Sequence, residues 1–102
     1  MDNNLLAIVG EIAAKLKTKG IKLSIAESCT GGAISNAVTD LPGSSSFFEM
    51  SIISYSFEAK TSVLGVSAST IRKHGMVSEQ TAVEMAKAAR KMSRTDVSLA
   101  IT

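Results

Sequence analysis

A chain of 102 residues with 11 Lys and Arg against 9 Asp and Glu has a net charge of +2, too slight to argue for a nucleic-acid or membrane-surface partner. Apolar residues at 45% and charged residues at 20% describe one small globular domain, residues 1–102, and exclude a disordered chain. With 4% aromatics and no tryptophan, a base-stacking nucleic-acid surface is excluded as well.

The opening Met1-Asp2-Asn3-Asn4 lacks the basic region of a signal peptide, and no apolar run approaches the roughly 18 residues of a membrane span. The cytoplasm is therefore the expected compartment. Leu5, Leu6, Val9, Ile12, Ala13 and Leu16 recur at helical spacing, and Gly20 stands where a helix ends. Ile21, Leu23 and Ile25 alternate, predicting a strand that ends near Ala26. After Glu27-Ser28-Cys29-Thr30-Gly31-Gly32, the residues Ala33, Ile34, Ala37 and Val38 predict a second helix, stopped by Asp40-Leu41-Pro42-Gly43. Gly43 to Ser46 reads as a loop beside a Phe47-Phe48 anchor, and Ser51 to Tyr55 as a second strand. Ser56 is placed to cap a short helix through Leu64, and Ser67 and Ser78 to cap two more. The last of these runs from Glu79 to about Met92, with Ala82, Met85, Ala86, Ala89 and Met92 turned inward. Val97, Leu99 and Ile101 mark a third strand within Asp96 to Thr102.

Strands separated by helices predict an α/β fold with a helix-covered, mostly parallel sheet. Ligands in such folds sit at the carboxyl ends of the strands. That rule points to three places: Glu27 to Gly32, Tyr55 to Lys60, and Thr102. In the first, a strand passes into a helix through a glycine pair, and free N–H groups there suit a phosphate or an oxyanion. Ser28 sits where such a turn presents a nucleophile, although an ordinary helix cap with tight-packing glycines reads equally well. In the second, Lys60 falls about one turn beyond the strand, within reach of the end of the first. A lysine activates a serine only if burial or a neighbouring cation lowers its pKa. Otherwise it is a solvated helix lysine paired with an acid such as Glu58.

Ser44, Ser45 and Ser46 supply a rival nucleophile, reachable from Lys60 only if the chain reverses over Phe47 to Met50. Cys29, the single cysteine, excludes an intrachain disulfide and reads as a small buried residue rather than a thiolate. The single histidine, His74 in Lys73-His74-Gly75, reads as the end of a helix. The acids Glu27, Asp40, Glu49 and Glu58 have no metal-ligand spacing, so no metal and no cofactor is expected. Glu27, beside the turn, is the carboxylate of interest.

Ala26-Glu-Ser-Cys-Thr-Gly-Gly32, Pro42-Gly-Ser-Ser45, Tyr55-Ser-x-Glu-Ala-Lys60, Leu64-Gly-Val66 and Lys73-His-Gly-x-Val-Ser78, in that order, resemble the CinA C-terminal domain family. The resemblance runs from about Ile21 to Thr102. It implies an α/β sandwich, often oligomeric, and hydrolysis of the carboxamide of nicotinamide mononucleotide to the acid and ammonia by a serine/lysine mechanism. Carried over, Ser28 is the nucleophile and Lys60 the base, with Tyr55 and Ser45 at other active-site positions. Thr30, Gly31, Gly32 and Thr102 help to form the nucleotide pocket. In the family, the strand matching Asp96 to Thr102 continues into a Gly-x-Ala-Gly-Pro loop, further strands and a last helix. The implied domain is thus truncated at its C-terminal end, and self-association, a dimer foremost, is expected to cover the sheet edge. The alternative function is a catalytically inactive nucleotide-binding or oligomerisation module.

Overall fold

The computed structural model describes residues 3–102; Met1 and Asp2, half of the opening read above against a signal peptide, lie outside the described residues. The first periodic segment forms α1 (Asn3–Lys19), which buries Val9 and Ala13. Gly20 ends it with φ at +65°, and Ile21 N–H returns to Leu16 O. This is the left-handed stop that favours glycine. No helix among the described residues is long and apolar enough to cross a membrane.

Three strands follow: β1 (Leu23–Glu27), β2 (Phe48–Ile53) and β3 (Val97–Ile101). They form one parallel sheet in the order β2-β1-β3, with Leu23 level with Phe48 and Val97, and Glu27 level with Ile53 and Ile101. The central strand is buried throughout, as a strand covered on both faces must be. Its alternation divides the core. Leu23 and Ile25 face α1 and α2 (Ala33–Thr39), packing with Val9, Ala13, Ala37, Val38 and Phe47. Ala26 faces the other way, into a core made with Leu64, Val66, Ile71, Met85 and Ala89. Ile71 belongs to α3 (Ala68–His74), and Met85 and Ala89 to α4 (Glu79–Ser93), which crosses the sheet.

The caps hold in part. Ser78 accepts from Thr81 N–H at 3.1 Å, and Ser56 accepts from Ala59 N–H at 3.0 Å. Ser67 is at the start of α3 but makes no cap; its hydroxyl meets Ser69 instead. Three expectations need correction. The second strand begins at Phe48 and ends at Ile53 rather than running from Ser51 to Tyr55. Ser54 N–H still donates to Glu27 O at 2.9 Å, while the carbonyls of Ser54 and Tyr55 turn to Lys60. Met92 is half-exposed on the outer side of α4. Cys29 is exposed at the tip of its turn, not buried.

Candidate active site

The carboxyl ends of β1 and β2 lie side by side, so Ser28 and Lys60, 32 residues apart in sequence, meet. Ser28 follows the last residue of β1 and is itself buried. Beyond it the chain reverses through Gly31 at φ +61° and Gly32 at φ +102° before α2 begins. Both values lie where a side chain is strained, which accounts for the glycine pair. A Cβ at Gly32 would also stand 3.0 Å from Ile53 Cδ1, the end of a flexible side chain.

Lys60 sits in a wide turn, Ala59–Val63, closed by Leu64 N–H to Ala59 O at 3.1 Å and followed by Val66 N–H to Lys60 O at 2.9 Å. Such i to i+5 turns are rare and recur at functional sites. The turn sends the lysine inward, where it is 1% exposed. Its Nζ donates to Ser28 Oγ at 2.8 Å, Ser54 O at 2.7 Å and Tyr55 O at 3.1 Å. Glu58, the acid expected to pair with a solvated lysine, instead accepts from Ser62. Burial therefore holds the Lys60 pKa below that of an ordinary lysine, and the nearby Cys29 sulfur, when ionised, pushes weakly the other way. Two backbone carbonyls fix the amine's two N–H bonds, leaving the third direction aimed at Ser28. In the neutral form that direction is a lone pair.

Glu27 is fully buried at the end of β1. Its carboxylate accepts from Thr30 Oγ1 at 2.6 Å, Ile34 N–H at 3.0 Å, Ser35 N–H at 2.8 Å and the Ser35 hydroxyl. Burial pushes its pKa up, but those hydrogen bonds outweigh it and hold the group below the usual glutamate value. A carboxylate of the chain itself thus takes the second and third amides of α2, which are not free for a phosphate or an oxyanion. Gly31 N–H is likewise engaged, by Ser28 O at 3.0 Å.

Of the other expected site residues, Tyr55 lies on the same rim with its side chain largely exposed. Thr30 is tied to Glu27, and Thr102, just past β3, donates from its hydroxyl to Met76 O at 2.8 Å. Ser45 is not brought in. It lies exposed in the turn Ser44–Ser46, ahead of β2, so the length of that strand, about 20 Å, separates it from Lys60 within this chain. His74 is exposed at the end of α3, as read from its neighbours. Ser54 escaped the sequence reading, because it acts through a main-chain carbonyl that no side-chain pattern reveals. Ser35 and Ser51 escaped it too; the available signal was a helix whose cap position is a glycine, which needs an acceptor from elsewhere. Among the described residues, no group of three or more His, Cys, Asp and Glu could hold a metal ion.

Comparison with known proteins bears on family and fold. A family model described as the CinA C-terminal domain matches residues 6–102. A putative competence-damage inducible protein of Acetivibrio thermocellus is 51% identical over 92 residues, 89% of this chain and 22% of that protein. The nicotinamide-nucleotide amidohydrolase PncC of Escherichia coli is 41% identical over 101 residues, 99% of this chain and 61% of that protein. The crystal structure of a competence/damage inducible protein from Agrobacterium tumefaciens superimposes with a TM-score of 0.96 at 35% identity, covering 100% of this chain and 62% of that one. The chain thus spans under a quarter of the longer relatives' length and about three-fifths of the shorter ones'.

Proposed function

The chain belongs to the CinA C-terminal domain family, and from that premise we propose that it is an amidohydrolase cleaving the carboxamide of nicotinamide mononucleotide, with Ser28 as nucleophile and Lys60 as general base. The observation that carries the reading is the 2.8 Å contact between Ser28 Oγ and a lysine removed from solvent. A serine hydroxyl is a weak nucleophile until a base takes its proton. Lysine fills that role only as the neutral amine, and burial is what favours that form.

In this reading the neutral Lys60 amine takes the Ser28 proton as Oγ bonds to the carboxamide carbon. The tetrahedral adduct collapses when the resulting ammonium returns that proton to the amide nitrogen; the C–N bond breaks and ammonia leaves. Water then attacks the ester on Ser28, giving its proton to Lys60, and the nicotinate nucleotide departs as the acid while Ser28 is reprotonated. The Ser54 and Tyr55 carbonyls hold the amine in place through both half-reactions. Thr30, Gly31, Gly32, Tyr55 and Thr102 are the rim residues proposed to meet the nucleotide. Binding as a homodimer, within the cytoplasm, is part of the same proposal.

The test is ammonia release from nicotinamide mononucleotide by the wild type beside Ser28→Ala and Cys29→Ala. The reading expects turnover that falls at least about 100-fold in Ser28→Ala and survives in Cys29→Ala. Loss in Cys29→Ala alone would transfer the nucleophile to the thiol. A folded wild type that shifts its melting temperature with the nucleotide but releases no ammonia would leave a binding module instead.

A further inference from the structure

We propose that Glu27 is the positioning residue of this site: its carboxylate braces the Ser28–Gly32 turn and locks it to α2 and β2, which sets Ser28 against Lys60. The inference rests on the amidohydrolase reading for its kinetic consequence but on geometry alone for its structural one.

Three features carry it. First, Glu27 is fully buried, directly precedes Ser28, and no cation is among the groups acting on it. A charge so placed is costly unless its oxygens are fully hydrogen-bonded, and four donors satisfy them. Second, those donors come from both sides of the turn. Thr30 lies inside it, while Ile34 and Ser35 offer the second and third amides of α2. These are the amides a helix-capping side chain normally serves, and Gly32 has no side chain to serve them. The acid therefore spans the two left-handed glycines, the softest part of the segment that carries Ser28.

Third, the network reaches the lysine's strand. Ser35 Oγ lies 2.6 Å from Ser51 Oγ in β2. A hydroxyl has one proton, so when Ser35 donates to Glu27, Ser51 donates to Ser35. Ser51 stands three residues before Ser54, whose carbonyl holds Lys60. The nucleophile's turn and the base's anchor are thus tied by hydrogen bonds from Glu27 through Ser35 to Ser51, and from there by the backbone of β2 to Ser54, separate from the Ser28–Lys60 contact itself. Displacing a reacting group by about 1 Å costs on the order of 100-fold in rate.

The experiment compares wild type and Glu27→Gln in steady-state turnover of nicotinamide mononucleotide and in amide hydrogen exchange. Glutamine keeps the volume, yet its amide nitrogen cannot accept from Ser35. The expected result is a kcat lower by about 10- to 100-fold with KM within about threefold. Exchange at Ile34 and Ser35 should be at least about tenfold faster, with Ala89 in α4 unchanged. An unaltered kcat in a wild type shown to depend on Ser28 overturns the proposal. If the wild type has no turnover, the amidohydrolase reading fails by itself, and exchange decides: unchanged protection at Ile34 and Ser35 overturns the brace, and selective loss upholds it. Should Glu27→Gln fail to fold, Ser35→Ala takes its place, since it keeps the carboxylate and removes the link to Ser51. A kcat several-fold lower with KM unchanged is then expected, or faster amide exchange at position 35 where there is no turnover; wild-type values overturn the proposal.

Discussion

At the scale of single residues, the site depends on one lysine being denied water. Lys60 is held by two carbonyls and a hydroxyl with no carboxylate among its hydrogen-bond partners, so burial acts on its charge without compensation by an ion pair. The sign of the pH dependence follows. The folded-state pKa lies below the 10.5 of a free lysine, so between the two values the unfolded chain binds the extra proton. Stability contributed at this position rises with pH across that window and is lost as pH falls through it. Lys60→Met should remove that slope from urea midpoints measured at a series of alkaline pH values. Glu27 behaves oppositely in range: its stabilisation is complete above the ordinary glutamate pKa of 4.5 and is lost only as pH falls through its lower folded value. Ser54 adds a third residue-level expectation. Its hydroxyl is buried with no partner among the described residues. Ser54→Ala should therefore raise the unfolding free energy by about 1 kcal/mol in urea titrations, where removal of a satisfied hydroxyl would lower it.

At the scale of elements, two short irregular segments do most of the positioning. The glycine turn between β1 and α2 needs positive φ twice, so Gly31→Ala and Gly32→Ala should each lower stability by about 1–2 kcal/mol. The Ile53 methyl that a Cβ at position 32 would meet is the end of a flexible side chain, so the dihedral rather than the contact sets the cost. Ser78→Ala, which removes the hydroxyl that caps α4, should cost about 1 kcal/mol by the same measurement. How much was legible in the sequence differs sharply between such elements. The helices α1 and α4 and the strands β1 and β3 follow from apolar period, caps and a terminal glycine, all of which are local. The end of β2 does not, because the carbonyls of Ser54 and Tyr55 serve a lysine further along the chain. Nor does the burial of Lys60: the spacing predicts an ordinary helical turn, whereas the chain forms the wider i to i+5 turn that points it inward. Ser28 and Lys60 were found by their places after two strands together with the family resemblance. The role of Glu27 as the cap of a helix starting six residues later was not, since no adjacent residue betrays it. Ser45, read from its motif, stands at the wrong end of β2 to join them within one chain.

At the scale of the molecule, the sheet is covered unevenly. The helix α4 crosses all three strands on one face, whereas on the other α1 and α2 cover β1 and β2, with Ile101 of β3 packed at their edge and Leu99 left open. Leu99 is 45% exposed and Ile8 55%. Together with Leu5, Val9, Ile12 and neighbours they line an apolar cavity of about 330 Å³ between α1 and the sheet. Open apolar surface of this kind binds hydrophobic dyes. Anilinonaphthalene sulfonate should brighten with the folded chain, and Leu99→Lys should reduce that emission several-fold; equal emission from both would place the exposed surface elsewhere. The open face lies on the side of the sheet away from α4, so it leaves the strand ends that carry Ser28 and Lys60 in place.

The most direct measurement of the central claim is ammonia release from nicotinamide mononucleotide by the wild type and by Lys60→Arg. Arginine keeps the positive charge and the hydrogen-bond donors but does not deprotonate in a protein. A base role for Lys60 requires turnover in the wild type, rising with pH to a plateau below the range of a free lysine, and its loss by at least about 100-fold in the variant. Turnover that persists in Lys60→Arg would show that the buried cation serves only as a donor, and the pairing of Ser28 with a lysine base would be contradicted.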